Sequence, residues 1–169
     1  GAAMKWSKLL LNLLGSATTA LLQASPLDVF SDRSLFDLEQ SAWLEAHDVM
    51  RALGLKPVVL PGYPVSAYAA AARHLPPGIL FKVLGGRLAR GRGDRRPGIA
   101  VDLAAGRRRT EVDVLGGAVV AAGSRAGVAT PVNRVLTALV RDVAAGRLDP
   151  ADLAGRPDRL IARVREAQR

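Results

Sequence analysis

Three polar residues spaced four apart, Lys8, Asn12 and Ser16, run through the apolar segment Leu9-Leu10-Leu11-Asn12-Leu13-Leu14. At helical spacing such residues lie one above another, so the three, with Thr19 continuing the line, share one narrow face. Leucine and alanine occupy most other positions, the pattern of a helix covered on most sides. An amine at the edge of such a helix is partly desolvated, which disfavours its charged form and suits it to proton transfer. A thin solvated edge on an amphipathic helix, with its lysine snorkelling to water, gives the same pattern. Spacing alone leaves both readings open.

A second candidate is Glu111, in Thr110-Glu111-Val112-Asp113. This reads as a capping-box-like helix start whose acids oppose the helix dipole, and an acid is favourable there without any further role. Continued as a helix, Glu111 would share an inward stripe with Leu115, Ala118 and Ala122. The two histidines, His47 and His74, have no ligand-like spacing, and with no cysteine in the chain there is no thiolate metal site and no disulfide. No metal site is expected. The cysteine-free composition fits a reducing, cytoplasmic compartment.

The elements that must position these residues are helical almost throughout. The first helix is expected over about residues 4–23, ending before Ser25-Pro26. A second begins near Ser34, with apolar residues recurring at Leu35, Leu38, Ala42, Ala46, Val49, Met50 and Leu53 before Gly54 stops it. Residues 65–74 form an alanine-rich helix, and Pro76-Pro77 opens another that ends near Gly85-Gly86. Gly91-Arg92-Gly93-Asp94-Arg95-Arg96-Pro97 is a basic loop. Further helices are expected over 98–105, from Thr110 to about 126, from Thr130-Pro131 to 145, and from Asp158 onward. Val58-Val59-Leu60 is the one plausible strand and is too short to found a sheet. The fold class is all-α, and 169 residues bound it to one domain, residues 1–169.

The formal charge of +9 raises the question of nucleic acid. Aromatic residues make up only 4%, too few for base-stacking platforms, and the arginines concentrate between positions 87 and 109 rather than along one helix. No nucleic-acid partner is expected, and a solvated loop is the default reading of that cluster. Met4-Lys5-Trp6-Ser7-Lys8 followed by leucines superficially resembles a secretory signal. Asn12 interrupts the apolar run, however, and the run is too short and broken to span a bilayer, so no membrane partner is expected.

Three blocks carry a resemblance. Lys5-Trp6-Ser7-Lys8-Leu9-Leu10-Leu11-Asn12 with Thr19-Ala20-Leu21, then Thr110-Glu111-Val112-Asp113-Val114-Leu115-Gly116-Gly117-Ala118-Val119-Val120, then Gly127-Val128-Ala129-Thr130-Pro131-Val132-Asn133-Arg134-Val135-Leu136 resemble the C-terminal domain of ketopantoate reductases, in that family's order. The implied fold is a helical, 6-phosphogluconate dehydrogenase C-terminal-like domain. The implied activity is half of an NADPH-dependent oxidoreductase of pantothenate biosynthesis, reducing a 2-oxo acid to a 2-hydroxy acid. Lys8 matches the lysine that polarises the keto oxygen and delivers a proton as hydride arrives. Asn12 matches an asparagine orienting substrate and lysine, and Glu111 a glutamate that bonds the substrate and helps hold the lysine. Such a donor stabilises the charge growing on oxygen more in the transition state than in the ground state.

The chain departs from the family pattern at three places. Ser16 stands where the family has a second asparagine. Pro97-Gly98 stands where it has Pro-Ser, whose serine binds the substrate carboxylate; Gly98 keeps only its N–H, and Arg95 or Arg96 could supply charge instead. Gly116-Gly117 replaces Asn-Gly. No Gly-x-Gly-x-x-Gly follows a strand, so NADPH binding is expected only in a full-length parent, through a Rossmann domain in cis or trans, and these residues alone are expected to be inactive. The other hypothesis is a non-catalytic helical module that self-associates or binds a partner; exposure of an apolar face would favour a homodimer.

Overall fold

The leucine-rich N-terminal segment folds as two helices rather than the single one its periodicity predicts. In a computed structural model, which describes residues 1–92 and 97–169 (Arg92 by its backbone), α1 (Ala2–Leu13) is followed by α2 (Ser16–Leu22). Between them Gly15 adopts left-handed backbone, φ 74°. The break is fixed from a distance. The Glu39 carboxylate accepts the Gly15 N–H and the Thr18 hydroxyl, each at 2.6 Å, and so caps α2. A Cβ on Gly15 would stand 3.2 Å from the Phe30 ring, so both the backbone angle and the close packing suit glycine.

The helices continue as α3 (Pro26–Ser31), α4 (Arg33–Ala52), α5 (Val65–His74), α6 (Pro77–Arg92) and α7 (Gly98–Ala104). A 3₁₀ turn (Glu111–Asp113), α8 (Gly116–Ala126), α9 (Pro131–Ala144), a second 3₁₀ turn (Pro150–Asp152) and α10 (Pro157–Ala167) complete the chain. Among the described residues there is no strand, and Leu60 and Tyr63 form an isolated bridge. The all-α expectation is met. No helix among them is long and apolar enough to cross a membrane.

Three other boundaries differ from expectation. α3 was unforeseen, although Ser25 and Asp28 form a full capping box at its start. α6 runs through Gly85-Gly86 instead of ending there. A Cβ on Gly85 would meet the Phe30 carbonyl oxygen at 3.2 Å, so this glycine serves close packing of α3 on α6. The helix expected from Thr110 is split: the 3₁₀ turn ends, Leu115 leaves helical geometry at φ −106° and ψ −99°, and α8 begins afresh.

α4 is the organising element, packed against α1, α3, α5, α6, α8, α9 and α10. Its stripe buries Leu35, Leu38, Ala42, Ala46, Val49 and Met50 as the spacing requires, while Leu53 lies exposed past the helix end. One side of the core gathers Leu10, Phe30, Phe36, Trp43 and Tyr68; the other gathers Ile99, Val112, Leu136, Val140 and Leu160. The α9 N-terminus is held to α4 by Glu45, whose carboxylate accepts the Val132 N–H at 2.8 Å and the Asn133 N–H at 3.0 Å. Thr130, the expected cap, makes no side-chain capping bond.

Candidate functional site

The polar stripe divides into an exposed half and a buried half. Lys8 and Asn12 are exposed on α1, with Ser7 and Leu10 buried behind them. Ser16 is only 5% exposed, and its hydroxyl donates to the Asn12 carbonyl across the helix break. Thr19, also buried, donates to the carbonyls of Gly15 and Ser16 at 2.6 and 3.2 Å. Within the described residues the Lys8 amine is therefore not held at a desolvated edge. Any desolvation must come from an element that covers α1.

Gly98 and Glu111 are brought into direct contact. A Cβ built on Gly98 would lie 1.9 Å from Glu111 Oε2 and 2.9 Å from its Cδ, so the carboxylate rests on bare backbone at the first turn of α7. Glu111 is half-buried. Its own N–H donates to Asp102 Oδ2 at 2.9 Å, and Arg107 pairs with Asp102 at 2.8 Å. Thr110 caps the turn by accepting the Val112 N–H. Among the described residues no hydrogen bond or ion pair reaches the Glu111 carboxylate, and none joins it to Lys8.

A cavity of about 20 Å³ ties the two halves together. Leu13 and Ser16 line it beside Ile99 and Val112, the chain neighbours of Gly98 and Glu111, with Glu39 and Thr137 closing it. The α1–α2 junction, the start of α7 and the 111–113 turn thus meet at one place. Asn12 stands one turn out from that junction, and Lys8 a further turn along α1, about 6 Å beyond Asn12. The larger open groove, about 550 Å³, is lined by Thr19, Gln23, Pro97, Leu103, Arg107 and Val143 and includes neither Lys8, Asn12 nor Glu111.

Asp102 and Glu39 were missed as supporting residues. Glu39 carried a signal, being an acid four residues after Leu35 on the apolar face of α4; Asp102 carried none, since its partner lies nine residues on. Arg95 and Arg96 lie outside the described residues, as does most of the expected basic loop; Gly91 and Arg92 close α6. Among the described residues no group of His, Asp and Glu side chains could hold a metal ion. His47 is buried, stacked on Trp43 at 5.4 Å, and its Nδ1 accepts from Arg73 at 2.8 Å; burial first, then the Arg73 charge, pushes its pKa below 6.5. His74 is exposed. The described residues offer no strand leading into a glycine-rich turn and so do not fit a dinucleotide.

These features define an all-helical domain that carries a lysine and an asparagine on one exposed helix edge, above a junction lined by a glutamate-bearing turn. The chain belongs to the ketopantoate reductase PanE/ApbA C-terminal family, whose profile matches residues 2–144. Among solved structures it is similar to a PanE/ApbA family ketopantoate reductase from Ralstonia eutropha JMP134, with 26% identity and a TM-score of 0.61 over 84% of this chain. The chain spans 41% of that protein's length. It also shares its fold with a D-mandelate dehydrogenase solved with NADH and anilino(oxo)acetate, with 18% identity, a TM-score of 0.61, and coverage of 83% of this chain and 67% of that one. No curated protein matches the chain.

Proposed function

We propose that this chain is the substrate-binding and catalytic-lysine part of an NADPH-dependent reductase that converts a 2-oxo acid to a 2-hydroxy acid. One observation carries the reading: in a chain of this family, Lys8 and Asn12 stand exposed on α1, one and two turns from a junction that Ile99 and Val112, the chain neighbours of Gly98 and Glu111, line. Bound NADPH would supply hydride to the carbonyl carbon. The residues described here do not fit that cofactor, so its site lies in a Rossmann domain in cis or trans. Lys8 donates a hydrogen bond, then a proton, to the carbonyl oxygen as its charge grows. Asn12 orients the carbonyl and the lysine. Ser16 acts on substrate through Asn12, whose carbonyl it holds. Glu111 accepts a hydrogen bond from the substrate. A domain closing over α1 would also exclude water from Lys8 and strengthen these contacts.

The experiment joins the chain to a ketopantoate-reductase Rossmann domain, by fusion or in trans, and follows NADPH consumption over a set of 2-oxo acids. Consumption that needs both the chain and a 2-oxo acid supports the proposal. If the joined protein binds NADPH and turns over none of them, the reading fails and the non-catalytic module takes its place. That second reading rests on Ile79 and Val83, one turn apart on α6 and about half exposed. Sedimentation tests it, and a monomer at high concentration refutes it.

A further inference from the structure

The small cavity at the α1–α2 junction is lined by apolar side chains, Leu13, Ile99 and Leu136 among them, and by the polar residues Ser16, Glu39 and Thr137. These three are 5%, 3% and 2% exposed, so bulk water does not reach them. The Thr137 hydroxyl has no hydrogen-bond partner among the described residues. It lies 2.5 Å from where a Cβ on Gly116 would stand, which places it off α9 and toward the start of α8, where Gly116 also lines the cavity. A buried hydroxyl left unbonded is costly. Ser16 and Gly116 are two of the positions at which the family pattern has asparagine. Smaller residues at both leave space beside Thr137.

We infer that this cavity is a binding site for one water molecule, and that Thr137, acting through that water, is a positioning residue for Asn12. The size fits: a cavity of about 20 Å³ exceeds the roughly 10–15 Å³ that one water needs and admits nothing larger. A wholly apolar cavity would stay dry, but this one has oxygen atoms in its wall. Their hydrogen-bonding capacities fit as well. Ser16 spends its proton on the Asn12 carbonyl, so its Oγ is left to accept. The Glu39 carboxylate accepts the Gly15 N–H and the Thr18 hydroxyl on different oxygens, and each oxygen has a second lone pair. Thr137 is left to donate. A water that accepts from Thr137 and donates to Ser16 and Glu39 makes three bonds, the usual number for a buried water. It fixes the Ser16 hydroxyl, and through it the Asn12 carbonyl at the end of α1. The water does not depend on the reductase reading; the use of a positioned Asn12 on substrate rests on it.

Crystal structures of the chain and of Thr137→Val, which replaces the hydroxyl by a methyl group at nearly unchanged shape, test this together with NMR spectra of the Asn12 side-chain amide. The inference expects one density peak in the parent chain, within about 3.2 Å of Thr137 Oγ1 and Ser16 Oγ. Thr137→Val should lose the peak and shift the Asn12 amide signals. Thr137→Ser, which keeps the hydroxyl and drops the methyl group, should restore both, as a purely packing role of Thr137 would not. Gly116→Ala, whose methyl group takes the water's space, should also lose the peak, and it covers the case in which Thr137→Val fails to fold. A dry cavity in the parent chain overturns the inference, as does a peak that survives either Thr137→Val or Gly116→Ala. Asn12 signals that stay in place when the water is lost overturn the positioning role. Both measurements are made on the chain alone without NADPH. A dry cavity therefore leaves the reductase reading standing, and absence of turnover in the joined protein leaves the water site standing.

Discussion

Replacing Glu45 by alanine should be among the most costly single changes in the chain, because this carboxylate caps a helix 87 residues away in sequence. It accepts the Val132 N–H at 2.8 Å, the Asn133 N–H at 3.0 Å and the Asn133 side-chain amide at 2.8 Å. Val132 and Asn133 are 0% and 1% exposed, so their N–H groups lie away from bulk water. Asn133 Nδ2 keeps a bond to the Ala42 carbonyl at 2.8 Å, which leaves two orphaned backbone N–H groups. At about 1–3 kcal/mol for each buried unsatisfied donor, the loss is about 2–6 kcal/mol. Urea unfolding reads this directly: with a slope of about 2 kcal/mol/M, the midpoint falls by about 1–3 M at unchanged slope. A fall below about 0.3 M would refute the capping argument. The pH dependence is a second check. Burial pushes the Glu45 carboxyl above 4.5, with the bonds from Asn133 and Val132 opposing. The folded chain then holds a proton that the unfolded chain has released. Its contribution to stability therefore falls as pH rises from 4.5 through the raised value. Glu45→Gln should remove that slope.

Gly123→Ala should destabilise by about 1–3 kcal/mol, since the new methyl group would lie 2.9 Å from both Thr130 Cγ2 and the Val128 carbonyl oxygen; thermal unfolding measures it. His47 should give stability that is present above pH 6.5 and lost as pH falls through its lowered folded-state pKa, because the unfolded chain takes up the proton first. The acid limb of a urea-midpoint profile shows this, and His47→Phe should flatten it.

Helices whose stabilising contacts are local were legible in the sequence. α5 spans the expected residues, because its start and end are marked by the prolines around it. The apolar spacing of α4 predicted its buried face as far as Met50. What escaped was set by partners distant in the chain. The Gly15 break depends on Glu39, 24 residues on, and on the Phe30 ring, so the leucine periodicity carried across it unbroken. Gly85 looked like a helix stop because the carbonyl it approaches belongs to another helix. At the site, the lysine–asparagine edge was visible as an i, i+4 pattern. The turning-in of Ser16 was not, since it follows from the break. The departure at Gly98 was readable from sequence, but the Glu111 carboxylate lying against it was not, since that contact joins two elements of the fold.

The central claim is that Lys8 delivers the proton in 2-oxo acid reduction, and Lys8→Ala in the protein joined to its dinucleotide-binding domain tests it most directly. The account predicts that kcat falls by about 10²- to 10⁴-fold while NADPH affinity is unchanged. Turnover within a few-fold of the parent protein would contradict it.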